Sequence, residues 1–334
     1  MSLSLVLPPL TQLNTPYPSI SYLANYLREQ GISCCQRDLG IELVLRVFSG
    51  SGLRDVFAEL ECLDQLPEPA WRALSLRSHH ESVIDAVIAF LQGKDQSLAP
   101  RILEGRFLPA GPRIQQADLS AFGSMGTHDA ARHLATLYLA DLADLITSCI
   151  DDGFALARYH AHLATSAQSF DPMWQRLSQC TLIDRYLDNL SETIDSEIVA
   201  LSVPFPGNLY GALRVGRRLK ERGRYVVLGG GYINTELRDM DESRIWQCVD
   251  ALTYDDGEGP LHAIVDWRAD PSDDRRHRTR TAEGIHEAKV ERPATTYGAY
   301  YGDLDLSSYL QTIDTLNPAH RLWADGRWNK ITLA

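Results

Sequence analysis

The stretch from Glu197 to Leu261 limits what this chain can fold into more than any other part of its 334 residues. Ile198-Val-Ala-Leu-Ser-Val203 is a continuous apolar run, the pattern of a strand covered on both faces, and Pro204-Phe-Pro-Gly207 ends it. From Asn208 to Arg222, Leu209, Ala212, Leu213, Val215, Gly216 and Leu219 recur mostly every three or four residues. Arg214, Arg217, Arg218, Lys220 and Glu221 lie between them, so the segment predicts a helix with one buried face. Tyr225-Val-Val-Leu228 predicts the next strand, and Gly229-Gly-Gly231 at its carboxyl end allows a backbone or a ligand to approach closely. Asp256-Gly-Glu-Gly-Pro260 closes the block. Strand, helix and strand in this order make half of a parallel α/β sheet, whose ligands bind outside the carboxyl ends of its strands.

A second block lies at the amino end. Ser4–Leu7 predicts a strand, stopped by Pro8-Pro9 and the polar loop Leu10–Thr15. Pro16-Tyr-Pro18 and Ser19 then open a helix through Tyr22, Leu23, Tyr26 and Leu27 that ends at Gly31, and Ile32–Arg37 predicts another strand. Residues 4–38 and 195–268 together therefore predict an α/β Rossmann-like, flavodoxin-like doubly wound parallel sheet. The intervening residues 39–194 carry helical periods, as in Val83, Val87, Ile88 and Leu91, interrupted at Pro67, Pro69, Pro100, Pro109 and Pro112. They predict a large helical insertion. Pro271-Ser-Asp-Asp274 and the arginine-rich run up to Arg280 read as an exposed linker.

Charge and cysteine use exclude several classes. With 32 basic against 44 acidic residues and a formal net charge of −12, a nucleic-acid backbone is not the expected partner. No apolar run reaches the roughly 18 residues of a spanning helix, and the first basic residue is Arg28, so no membrane role and a cytoplasmic location are expected. Cys34, Cys35, Cys62, Cys149, Cys180 and Cys248 lack the close spacing of a zinc or iron-sulfur ligand set and read as buried thiols. His79-His80, His128 with His133, and His160 with His162 lie in helical sequence without an i, i+4 pair, and read as solvated or capping groups rather than metal ligands.

The set Pro8-Pro9-Leu10, Tyr17-Pro18-Ser19-Ile20, Leu23–Arg28, Ser202-Val-Pro204, Leu228-Gly-Gly-Gly231 and Asp256-Gly-Glu-Gly-Pro260 resembles the amino-terminal cobalamin-binding domain of cobalamin-dependent radical S-adenosylmethionine enzymes. The resemblance covers about 110 residues in two blocks and extends to Asp303–Tyr309 and Trp328–Ala334, which look like the lead-in and first strand of that family's radical barrel. No three-cysteine motif follows. The resemblance therefore implies a cobalamin-binding module cut before the barrel, with residues 269–334 as linker and lead-in. The iron-sulfur cluster and S-adenosylmethionine would belong to the missing domain, as would the small-molecule substrate of a methyltransferase or oxidative cyclase. It implies cobalamin contacts from Leu10, Thr11, Gln12, Leu13 and Asn14, from Ser202, Val203, Pro204, Phe205, Gly207 and Asn208, and from Gly229, Gly230, Gly231, Tyr232, Asp256, Glu258 and Gly259. The corrin would lie over Leu10–Asn14, Ser202–Asn208 and Gly229–Tyr232. It assigns no catalytic residue. The loop after the first strand holds no histidine, so no protein imidazole is expected below the cobalt.

On the residues alone, plainer readings stand beside these. Triple glycine after a strand can serve only a tight turn, Glu258 can simply open the next helix, and Pro8-Pro9 can merely stop a strand. The order of the three, each at a strand's carboxyl end, favours a ligand slot, in which Gly230→Val would intrude. A nucleotide or nucleotide-sugar enzyme and a catalytically idle interaction module are the alternatives. The segment Ala299–Tyr309 is expected to pack back on the sheet, and Lys330–Ala334 to fray or to pair in a dimer through the C-terminal segment.

Overall fold

The computed structural model describes residues 2–119, 126–156, 163, 170–288 and 298–313. They form two compact units. One holds the residues up to Arg46 together with Asp151–Leu306, and the other holds Val47–Ile150 together with the described residues from Ser307 onward. The second unit is thus narrower than the 39–194 stretch read as the helical insertion, because Leu39–Arg46 and Asp151–Glu192 belong with the sheet.

In chain order the elements are β1 (Leu3–Leu7), α1 (Ser19–Glu29), β2 (Cys34–Asp38), α2 (Leu39–Val47), α3 (Gly50–Glu61), α4 (Glu68–Ser75), α5 (Arg77–Leu91), α6 (Ala99–Leu103), α7 (Pro112–Gln115) and α8 (Thr127–Cys149). There follow α9 (Asp171–Leu177), α10 (Leu182–Glu192), β3 (Ile198–Ser202), α11 (Leu209–Glu221), β4 (Tyr225–Gly229), α12 (Gly231–Thr235), β5 (Ala251–Thr253), α13 (Glu258–Ala269), β6 (His277–Thr281) and β7 (Gly284–Glu287). The seven strands form one sheet in the order β2-β1-β3-β4-β5-β6-β7. The first five are parallel, with Leu3 opposite both Cys34 and Ile198, and Ile198 opposite Tyr225. This 2-1-3-4-5 order is the flavodoxin-like one: the chain leaves β1 toward one side and β3 toward the other, so a crevice opens between their carboxyl ends. Every residue of β1 and β3 is buried. Leu5, Leu7, Ile20, Ala24, Leu27, Ile198 and Ala200 share one core with Leu261 and Ile264 of α13.

The arginine-rich segment is not a linker. β6 and β7 make an antiparallel hairpin that extends the sheet beyond β5. His277, Thr279 and Thr281 are buried while Arg278 and Arg280 alternate with them at half-burial, so the period of two was present but carried by polar residues. Tyr300 and Leu304 pack on the sheet core as expected, with Gln36 Nε2 donating to Tyr300 O at 2.8 Å and the Arg28 guanidinium 4.4 Å from the Tyr300 ring centre. The following residues do not: Gln311 N donates to Leu91 O at 2.6 Å and Ile313 N to Thr136 Oγ1 at 2.9 Å, which places them in the helical unit. Trp328 and Lys330–Ala334 lie outside the described residues. No helix among those described is long and apolar enough to cross a membrane.

Two expectations about single residue types need correction. Only Cys34 and Cys248 are buried, while Cys35, Cys62 and Cys180 are exposed and Cys149 is intermediate. His80 and His133 are buried rather than solvated, because each falls on an inward position of its helix, while His160 and His162 lie outside the described residues. Burial, with His79 adding to it, lowers the His80 pKa from 6.5 to about 4. The unfolded imidazole therefore takes up a proton that the folded one refuses. Stability from this group is complete above pH 6.5 and is lost as pH falls through about 4, by roughly 3 kcal/mol at the limit. Melting curves between pH 7 and 4.5 are expected to fall less steeply for His80→Gln than for the parent chain; parallel slopes would mean that His80 titrates normally.

Candidate functional site

The crevice between β1 and β3 is walled by the loop of residues 8–18 after β1 and that of residues 203–208 after β3. The two are tied together. Ser19 Oγ, at the start of α1, lies 2.8 Å from Ser202 Oγ at the end of β3. Asn208 Nδ2 donates to Pro8 O at 2.8 Å from a fully buried side chain. A methyl group on Gly211 would lie 2.9 Å from Pro9 O, so glycine is what lets α11 approach the first loop. The Tyr17 and Phe205 rings meet edge-on at 5.3 Å, and Phe205 keeps 48% of its surface exposed beside the crevice.

Within the first loop the expected contact residues separate by burial. Leu10 and Leu13 point into the core, Thr11 and Gln12 are half-buried and Asn14 is exposed. Gln12 Nε2 donates to Thr15 O at 3.0 Å and to Thr15 Oγ1 at 2.6 Å, which shapes the loop from within. After β3, Ser202, Val203, Gly207 and Asn208 are buried, leaving Pro204 and Phe205 as the reachable surface.

The glycine triplet does not line a slot in the way expected. Val203 N donates to Gly229 O at 2.7 Å and Tyr232 N to Val203 O at 3.1 Å, so the triplet is laced to the end of β3. Gly230 has φ +114°, and a Cβ there would lie 2.7 Å from Val203 O. A Cβ on Gly229 would lie 2.6 Å from Thr253 Oγ1. These two glycines serve backbone packing, and Gly230→Val would fail through Val203 rather than by blocking a ligand. Gly231 differs: it is exposed, and only Pro204 O, at 3.3 Å, neighbours its missing side chain.

Asp256, Glu258 and Gly259 stand apart from this crevice, at the end of β5, about two strand spacings or roughly 10 Å from β3. There Asp255, at φ 59°, is gripped by Arg238 at 2.9 and 3.2 Å and donates its N–H to Asn234 Oδ1 at 2.6 Å. Arg278 from β6 comes within 3.7 Å of Asp256. Glu258 occupies the first turn of α13, where its charge suits the helix dipole, and Gly259 allows close packing on His277. Tyr17 and Ser19 stand in the resembling set without an assigned contact, and nothing along the chain pairs Arg238 with Asp255.

One property unites the three loops nearest the crevice. Residues 2–27, 198–213 and 225–235 contain no Asp, Glu, Lys, Arg or His. These three segments thus offer amides, hydroxyls, backbone groups and aromatic surface, while the charges of the same sheet edge include the buried Asp38 at the end of β2 and the pair of Arg238 with Asp255 after β5. Among the described residues no group of three or more His, Cys, Asp or Glu is placed to hold a metal ion. No protein-family model, curated protein or solved structure matches this chain, so what the crevice binds must be argued from its own residues.

Proposed function

We propose that the crevice between β1 and β3 binds cobalamin, and that the chain acts as the cobalamin-binding module of a radical S-adenosylmethionine enzyme. The observation that carries this reading is the pair of uncharged loops, after β1 and after β3, that flank a flavodoxin-like switch point. A corrin is a broad, flat ring fringed with amides, and its recognition calls for apolar surface and neutral hydrogen-bonding groups rather than for cations. Phe205 and Tyr17 offer the surface, while Thr11, Gln12 and Asn14 offer the polar groups.

Asn208 supplies a test of fit. Its Oδ1 is buried and has no partner among the described residues, although its Nδ2 is bonded. A buried acceptor left in this state is costly, and an amide N–H from a ligand would satisfy it. The fit is to the macrocycle: Gly229 and Gly230 are already packed, so the nucleotide tail would not run between them and β3. When bound, cobalamin supplies a cobalt able to carry a methyl group. The chain's own residues bind the ring and shield one of its faces from water.

The experiment is gel filtration of the folded chain with hydroxocobalamin at micromolar concentration, read by the visible spectrum of the protein peak. Co-elution is expected, and Gly231→Phe, which places a ring on the exposed edge, is expected to weaken it at least tenfold while leaving the melting temperature unchanged. Failure of the folded parent chain to retain cobalamin would sink the reading. Retention of ADP or a nucleotide sugar in its place would favour a nucleotide-binding enzyme.

A further inference from the structure

The helical unit contains a cavity of about 290 Å³, near the lower end of the range for small-molecule sites. Its walls come from α4, from the turn leading into α7, and from α8. Ala73, Leu76, Pro109, Leu142 and Leu145 make the lining predominantly apolar. Four charged side chains reach it, and each is partnered at its rim. Arg72 pairs with Glu68 at 2.5 Å, Asp144 with Arg113 at 2.6 Å, and Asp141 accepts the Arg113 backbone N–H at 2.9 Å. Glu68 and Arg72 thus answer each other and Arg113 answers Asp144, while Asp141, held by backbone N–H groups, has its carboxyl pKa raised by burial, so among the described residues the lining offers a ligand no free cation.

It does have one spare polar atom. His80 lines the cavity, only 7% exposed, with its ring stacked on Tyr138 at 5.6 Å and tilted against Phe57 at 5.8 Å. Its Nδ1 lies 3.0 Å from the Tyr138 hydroxyl. Tyr138 is fully buried, so its phenolic hydrogen needs an acceptor, and the Nδ1 lone pair is the one within reach. With Nδ1 accepting, the hydrogen of a neutral imidazole sits on Nε2, which has no protein partner among the described residues. Burial keeps the ring neutral near pH 7.

We infer that this cavity is a binding site for a small, uncharged, largely apolar molecule, aromatic by size and shape, that presents one hydrogen-bond acceptor to His80 Nε2. The Tyr138 ring stacked on His80 and the Phe57 ring tilted against it fix the donor in place before the ligand arrives. An acceptor-bearing ligand satisfies it, whereas a molecule of the same size that carries only a donor leaves both groups unpaired. Such a mismatch in a buried site discriminates strongly.

Quinoline and indole make the test, because they have similar size while one presents a ring-nitrogen acceptor and the other an N–H donor. Titrations of the full chain, followed by the His80 ring proton resonances and by the melting temperature, are expected to show saturable quinoline binding at least tenfold tighter than indole. His80→Phe is expected to erase that preference, and Ala73→Phe, which fills the cavity from α4, to abolish binding. Ser148→Trp blocks the α8 wall from an exposed position and serves if Ala73→Phe does not fold. The inference is overturned by absence of saturable quinoline binding at millimolar concentration, by equal affinity for indole, or by binding that survives a folded blocking variant.

Discussion

Arg176→Met is expected to lower the unfolding free energy of the sheet unit by about 3–5 kcal/mol. The guanidinium is 7% exposed and lies between two carboxylates with no exposure, 2.6 Å from Asp184 and 2.9 Å from Asp151. It also donates to the Tyr210 hydroxyl at 2.7 Å, which in turn donates to Asp184 Oδ1 at 2.7 Å. Burial first, and the Asp184 charge after it, raise the Tyr210 pKa and keep the phenol protonated. Thr181 completes the set as the N-cap of α10, in a capping box with Asp184, and its hydroxyl donates to Asp151 at 2.8 Å. Methionine would fill the space but leave two carboxylates buried without their cation, and it is this loss that sets the magnitude. Because Tyr210 lies two residues beyond Asn208, the same change should loosen the start of α11 and weaken ligand retention at the crevice. Urea denaturation followed by tryptophan fluorescence provides the measurement. A loss below about 1 kcal/mol would mean that the buried charges find other partners.

Gly230→Ala is expected to cost about 2–6 kcal/mol, through backbone strain and overpacking together. At φ +114° an L side chain is strained by roughly 1–3 kcal/mol. Its Cβ would also overlap the Val203 peptide, with O at 2.7 Å and both C and N at 2.8 Å. Backbone cannot step aside as a flexible side chain can, so overpacking adds roughly 1–3 kcal/mol. Gly231→Ala, one residue later, has an ordinary φ and a single neighbour at 3.3 Å, and should stay within about 1 kcal/mol of the parent. Denaturation midpoints of the two variants decide the matter. If they coincide, the triplet is not laced to β3 in the way described.

Much of the sheet could be read from the chain because β1, β3 and β4 are apolar runs stopped by proline or glycine, each visible against its polar flanks. β5 was harder: three residues, Ala251–Thr253, give too short a run to show a period. β6 was hidden because its buried positions are His277, Thr279 and Thr281, which hydrophobicity does not mark. The crevice loops were found through their place after strands, a matter of order along the chain. Which glycine is exposed and which faces Val203 was not legible, since that depends on φ and on what lies across the gap. Nor could sequence separate Asp256, Glu258 and Gly259 from the crevice, because only the strand order places β5 beyond β4.

The uncharged loops have a kinetic side. In a chain of formal net charge −12, the three loops nearest the crevice present neither attraction nor local repulsion to a neutral molecule, while the molecule as a whole repels anions. Encounter of a neutral ligand with these loops is therefore expected to be unsteered. Raising the ionic strength, which shrinks the Debye length and slows steered partners, should leave both the arrival rate and the affinity of a neutral ligand nearly unchanged. If cobalamin is the ligand, as proposed, selectivity at such a site is exercised after contact, through the rate at which the ring is released.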